Sequence, residues 1–199
     1  MVDVIPFKIQ RFYFRDGGLS ETGRRAGGAL LVVLASAAVL LFTTWREHRG
    51  QAAGVTAEES RRPMADLALM DVNGGTWRLR DHRGEVVAVN LWATWCGPCR
   101  EETPAIVRVV RDLGPKGFVV IGVSLDEGDR EAKVRAFSER YGVNYPMGFP
   151  DAMSQMSAGL EGIPTTLLVD RKGRVAKVYV GEMRESVLRT DAGTLLEER

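Results

Sequence analysis

The stretch Asn90 to Glu102 reads NLWATWCGPCREE, and its cysteines, Cys96 and Cys99, are the only two in a chain of 199 residues. An apolar run precedes them and a helix-forming segment follows, so the pair stands at a strand-to-helix junction. Two thiols this close at a helix start can close a small disulfide and reopen it. The unpaired N–H groups and positive dipole end of a helix favour a thiolate on the first cysteine, and the thiolate is the form that attacks a disulfide. Other uses of the pair fit less well. A structural zinc site wants four ligands, and the only histidines, His48 and His82, lie upstream without finger spacing. A permanent disulfide over so short a loop removes little chain entropy and makes a poor staple. Inert buried thiols need neither Gly97-Pro98 between them nor Trp95 in front. What remains is dithiol–disulfide chemistry near a βαβ pattern, with no metal and no cofactor expected.

The net charge is +1 and no basic block resembles a nucleic-acid patch, so nucleic acid is not an expected partner. Ala26 to Thr44 is a run of 19 residues without a charge, closed by Trp45. That is long enough to cross a bilayer as a helix. A cleaved signal peptide would have a shorter apolar core with small residues just beyond it; here Trp45, Arg46, Glu47, His48 and Arg49 follow. A retained transmembrane helix over 26–45 is therefore expected. Lys8, Arg11, Arg15, Arg24 and Arg25 precede the run, against Arg46, Arg49, Arg61 and Arg62 after it, which leans toward an N-terminus inside. A disulfide exchanger has its use outside the cytosol. The expectation is a single-pass protein of the cytoplasmic (inner) membrane, its catalytic domain periplasmic. Residues 1–25 then form a cytoplasmic segment, 46–63 a polar linker with Gly50, Gly54 and Pro63, and 64–199 one domain.

Within that domain Leu67–Asp71 and Thr76–Leu79 flank Asn73-Gly74-Gly75, which predicts a β-hairpin. Glu85–Ala93 is apolar with little alternation and suits a strand buried on both faces. A helix starting near Cys96 carries Ile106, Val109, Val110 and Leu113 on one face and stops at Gly114-Pro115; Pro104 should kink it. Phe118–Leu125 is a second buried strand, and Val134, Phe137 and Tyr141 predict a helix over 130–141. A short strand at Met147–Phe149, a short helix at Ala152–Leu160, strands at Thr166–Asp170 and Val175–Val180, and a terminal helix over 185–198 complete the pattern.

A βαβ core, a β-hairpin and a terminal helix, with the cysteine pair after the first core strand, fit an α/β thioredoxin fold. The N-terminal hairpin and the segment after the second core strand are additions. From about residue 64 to 182 the chain resembles membrane-anchored thioredoxin-like proteins of the TlpA, ResA and CcmG type. The resemblance is carried by the Asn73-Gly74 hairpin, NLWATWCGPCREETP, FVVIGVSLD and EGIPTTLLVDRKG. It implies that Cys96 is the nucleophile and Cys99 the resolving cysteine of a Cys96–Cys99 redox disulfide. It also implies that Pro164 is a cis-proline facing the pair, with Ile163 offering its backbone to an extended substrate. Trp95, Gly97 and Pro98 would complete the substrate surface. Glu102 resembles a proton acceptor near the active site; an exposed acid in the first helical turn is the alternative.

One departure bears on mechanism. Ordinary thioredoxins keep a buried aspartate six residues before the first cysteine, where this chain has Asn90, which does not titrate. Glu102 or water must then handle the resolving proton, while His48 and His82 read as solvated. The resemblance implies a thiol:disulfide oxidoreductase that reduces extracytoplasmic proteins, resupplied with electrons by a membrane dithiol carrier of the CcdA or DsbD kind. Apocytochrome c and the cysteines of a copper site are the implied substrates. A thiol oxidant of the same fold uses the same residues and stays open. A copper-delivery module would need a histidine downstream of the pair, and none follows His82. A peroxide-reducing enzyme would use a lone cysteine in a Thr-x-x-Cys setting, whereas Thr94 stands only two before Cys96.

Overall fold

The computed structural model describes residues 54–150 and 162–198, together with 34–37 and 39. The chain divides into two units, 1–46 and 47–199. Of the first, residues 34–37 and 39 are helical and exposed. The expected transmembrane run therefore lies mostly outside the described residues, among which no helix is long and apolar enough to cross a membrane. The short helix expected at 152–160 also lies outside them.

The second unit is built on a strand with no polar face. Strand β4 (Val86–Trp92) is buried at all seven positions, so both sides of the sheet around it must be covered. Alternation along a strand separates the side chains. Val86 and Ala88 join one apolar cluster with Ile106, Val109 and Leu113 of helix α1 (Gly97–Leu113) and Val187, Leu188 and Leu195 of helix α3 (Glu185–Glu197). Val87, Val89 and Leu91 join another, with Leu67, Leu69, Trp77 and Leu79. Asn90 has the parity of Val86 and Ala88 and so turns toward α1. Strand β5 (Phe118–Ser124) runs parallel to β4 in register Val86↔Phe118 through Trp92↔Ser124. Within it Gly122 makes room for a neighbour, because a Cβ there would lie 3.0 Å from the Trp92 indole nitrogen.

Helix α1 continues through Pro104 as one element. Proline in a helix interior costs about 3 kcal/mol, and burying Ile106, Val109 and Leu113 at roughly 2 kcal/mol each outweighs it. Helix α2 (Arg130–Tyr141) buries only Val134 and Phe137. It ends at Gly142, whose φ of 61° is the left-handed conformation a helix C-terminus calls for.

Among the described residues the sheet has eight strands. To those above it adds β1 (Arg62–Pro63), β2 (Ala68–Asp71), β3 (Thr76–Arg78), β6 (Met147–Pro150), β7 (Thr165–Val169) and β8 (Arg174–Val180), in the order β1-β8-β7-β4-β5-β6-β2-β3. Strands β5, β4, β7 and β8 with α1 and α3 are the thioredoxin-like core. The β2–β3 hairpin turns at Asn73-Gly74-Gly75 and extends the sheet by pairing with β6.

Residues 54–63, which their composition reads as part of a linker, lie against the domain. The Gly54 amide donates to Asp191, the Thr56 amide to the Ala176 carbonyl, and β1 pairs with β8. Arg61 fastens this strap. Its guanidinium is buried and donates to Asp170 at 3.2 Å, to both Glu198 oxygens at 2.5 and 2.7 Å, and to the Thr56 carbonyl at 2.8 Å. Burial pushes the Asp170 carboxyl up, but hydrogen bonds from Arg174 and Arg61 outweigh it and hold the carboxyl below its ordinary value. Composition hid this, because Arg61 looks like any surface arginine until partners far along the chain converge on it.

Removing one member of a buried ion pair strands the other. Arg61→Ala is expected to lower the stability of the full chain by about 3 kcal/mol, the low end of the range for buried pairs because Arg174 still holds Asp170. Urea unfolding checks this; a loss under about 0.5 kcal/mol, typical of surface substitutions, would contradict it.

Candidate active site

Strand β4 delivers the chain to the start of α1, and Cys96 is the residue that caps that helix. Its sulfur accepts a hydrogen bond from the Cys99 amide at 3.3 Å, and Pro98 fits the helix's first turn because its missing N–H would be unpaired there anyway. Cys96 and Cys99 are joined, S–S 2.14 Å. Cys96 is 6% exposed and Cys99 1%, so the first sulfur is the one a partner reaches. When the bond opens, the capping hydrogen bond and the helix dipole both stabilise negative charge on Cys96. No acid stands in the first turn of α1 to oppose this.

The other residues singled out from the sequence fall around this pair. Trp95 is 65% exposed beside Cys96, with Gly97 half-buried and Pro98 exposed. The Ile163–Pro164 peptide bond is cis. Ile163 is half-buried and packs on the cluster that contains both cysteines, Trp92 and Phe137. The Pro164 carbonyl accepts from the Gly181 amide, which ties the loop to the end of β8.

Glu102 departs from one expectation. It is not an exposed first-turn acid, being 1% exposed. Its Oε1 accepts from Asn90 Nδ2 at 2.8 Å and its Oε2 from the Met183 amide at 2.9 Å, while Asn90 also donates to Thr166 Oγ1 at 2.9 Å. Burial pushes the carboxyl from 4.5 up to about 7, against the hydrogen bonds from Met183 and Asn90 and helped by Glu182. An amide therefore stands where thioredoxins hold a carboxylate, and it supports a carboxyl group on the neighbouring helix. The next residue, Thr103, donates to the Cys99 carbonyl at 2.7 Å.

Sequence reasoning missed a second anchor. Asp126, just after β5, accepts from the Thr94 amide at 2.9 Å, the Thr94 hydroxyl at 2.6 Å and the Ser124 hydroxyl at 2.9 Å. It fixes the backbone two residues before Cys96. Its signal was the first acid after an apolar strand, in VSLD. His82, read as solvated, instead has its Nδ1 at 2.6 Å from Glu85 and its ring stacked on Trp77. His48 lies outside the described residues.

A disulfide capping the helix after the first central strand, with a cis-proline loop packed on the same cluster, defines a thiol–disulfide exchanger of thioredoxin-like fold. A model of the AhpC/TSA family matches residues 61–190, and the chain belongs to that family. It is 31% identical over 156 residues to the thiol-disulfide oxidoreductase ResA of Geobacillus thermodenitrificans, covering 77% of this chain and 84% of that protein. Against ResA of Bacillus subtilis it is 32% identical over 124 residues, 62% of this chain and 68% of that one. A crystal structure of a thiol:disulfide interchange protein from Chlorobium tepidum superposes with a TM-score of 0.62 at 26% identity, covering 70% of this chain and 99% of that chain. The protein is a thiol-disulfide oxidoreductase with its cysteine pair at 96 and 99.

Because folding raises the Glu102 pKa from 4.5 to about 7, the folded state binds an extra proton between those values. Glu102 is therefore harmless to stability below pH 4.5, and its cost grows as pH rises, reaching full size above pH 7. Glu102→Gln mimics the protonated form. It is expected to match the wild type near pH 4 and to exceed it by roughly 2–3 kcal/mol at pH 8. Denaturant unfolding at the two pH values checks this, and an equal offset at both would refute it.

Proposed function

We propose that this protein is a membrane-tethered reductase of disulfides in extracytoplasmic proteins. The observation that carries the reading is Cys96 at the N-cap of α1, bonded to Cys99 and receiving its amide hydrogen bond. In the reduced protein the Cys96 thiolate attacks one sulfur of a substrate disulfide. A mixed disulfide forms, and the other substrate sulfur leaves as a thiolate that takes up a proton. Cys99 then loses its proton and attacks the Cys96 sulfur, releasing the second substrate thiol. The substrate gains two electrons and two protons, and Cys96–Cys99 is left oxidised. Glu102, buried one turn beyond Cys99 with a pKa of about 7, is suited to receive the Cys99 proton near neutral pH. Trp95, Gly97 and Pro98 would form the rim on which substrate docks, and the backbone of Ile163 before cis-Pro164 would pair with an extended segment of it.

The tether reading rests on the uncharged run at 26–44 and the basic residues before it. The extracytoplasmic side, as distinct from the tether, accords with a structural neighbour from Corynebacterium glutamicum, TM-score 0.64 and 26% identical, described as a secreted thiol-disulfide isomerase. Reduction is favoured over oxidation because Gly97-Pro98 resembles the dipeptide of reducing thioredoxins. Each turnover then consumes a reduced pair, which a membrane dithiol carrier of the CcdA or DsbD kind would regenerate. The family resemblance points to apocytochrome c, whose haem-attachment cysteines must be reduced, as the substrate, and so to cytochrome c maturation.

Two experiments test the reading. In the full chain, Cys96→Ser is expected to abolish reduction of insulin disulfides, and Cys99→Ala to accumulate mixed disulfides with substrate; normal turnover by the first variant would remove Cys96 as nucleophile. Equilibration of Cys96–Cys99 in defined thiol buffers is expected to give a potential near or below about −250 mV, in the range of thioredoxin. A value near about −120 mV, that of a strong oxidant, would reverse the direction.

A further inference from the structure

Beside the cysteine site lies a shallow groove of about 230 Å³, formed by Thr94 and Arg100 together with Lys133, Phe137, Arg140 and Tyr141 of α2. Thr94 and Arg100 bracket the cysteine pair in sequence, so a chain bonded to Cys96 passes close to this recess. Three of the lining residues are cations and none is an acid.

Elsewhere on the domain several arginines are paired with acids. Arg108 meets Glu185, Arg111 meets Asp112, Arg130 meets Glu131, and Arg189 meets both Asp112 and Glu185. In the groove no carboxylate of the described residues pairs with any of the three cations. The Lys133 ammonium donates to the neutral carbonyl of Glu127, and the Arg140 guanidinium lies 5.6 Å from the Tyr141 ring centroid. The floor is firm. Phe137 packs on Trp92 and on Tyr141, each at 4.4 Å between ring centroids, and belongs to the apolar cluster that holds Cys96 and Cys99.

We infer that this groove binds an acidic segment of the substrate protein, adjoining the cysteine that Cys96 attacks. The inference rests on thiol–disulfide exchange at Cys96 as described above. Like-signed charges without local partners attract carboxylates and steer encounter, an effect that weakens with salt. The aromatic floor accepts apolar residues between those carboxylates. The groove thereby selects among disulfide proteins by the charge around the disulfide, which the sulfur chemistry alone does not read.

The test uses the full chain and two fluorescein-labelled, cysteine-free peptides of equal length, one rich in Asp and Glu, the other in Lys and Arg. Anisotropy titration is expected to show the wild type binding the acidic peptide about tenfold more tightly at low salt, a preference lost near 0.5 M salt. The charge-reversed variant Lys133→Glu/Arg140→Glu is expected to invert the preference, and Lys133→Arg/Arg140→Lys to keep it. With disulfide-bridged versions of the same peptides, the ratio of kcat/KM for acidic over basic substrate should follow the binding ratio through KM. Equal binding of both peptides by the wild type, or an unchanged preference after charge reversal, would overturn the inference. If neither bridged peptide is reduced, the exchange reading fails, while the cysteine-free titration still decides whether the groove prefers acid.

Discussion

Burial of β4 on both faces is the constraint from which the rest of this domain follows. A strand that offers no polar side to water needs a layer above and a layer below. Those layers are α1 and α3 on one face and, on the other, the apolar residues of the β2–β3 hairpin and the turn after it. The same strand ends where the chain must change from a two-residue to a helical period, and at that change it delivers Cys96 to an N-cap. The reactive group therefore follows closely on a strand buried on both faces, and the helix whose dipole acts on it is anchored by its own apolar face.

The polar residues within this framework divide into two sets around the cysteines. Asp126 holds the approach to Cys96 through Thr94. Glu102 belongs to the interior, where Asn90 and the Met183 amide satisfy its oxygens without adding a positive charge. Burial is the reason its carboxyl rises to about 7, and the hydrogen bonds from these neutral donors lower it without cancelling that rise. An arginine in place of Asn90 would favour the charged form and pull the value down. The asparagine thus keeps the carboxyl near the pH at which it can both hold and release a proton.

What could be read from the sequence was what is local. The apolar runs of β4 and β5, the Asn73-Gly74-Gly75 turn and the cysteine pair each carry their signal within a few residues. The strap at 54–63 carries no such signal, because Arg61 finds its acids 109 and 137 positions away. Glu102 was ambiguous for a similar reason. Helical spacing places it in the early part of α1, but only the return of the chain at Met183, 81 positions on, encloses it. The helix also runs through Pro104 without a break, since tertiary burial of one face exceeds a local penalty that sequence rules weigh alone. The basic groove is assembled from α2 and the active-site loop, two segments whose proximity no spacing rule expresses.

The sheet ends in very short strands, two residues in β1 on one side and three in β3 on the other. A long open strand at the edge of a sheet invites any extended polypeptide to add itself. Here the outermost strands give little to template, while Ile163, before cis-Pro164, packs on the cluster that holds the sulfur pair. An extended chain that pairs with this margin finds few donors and acceptors there. Resistance to edge-to-edge association is thus built into where the sheet stops.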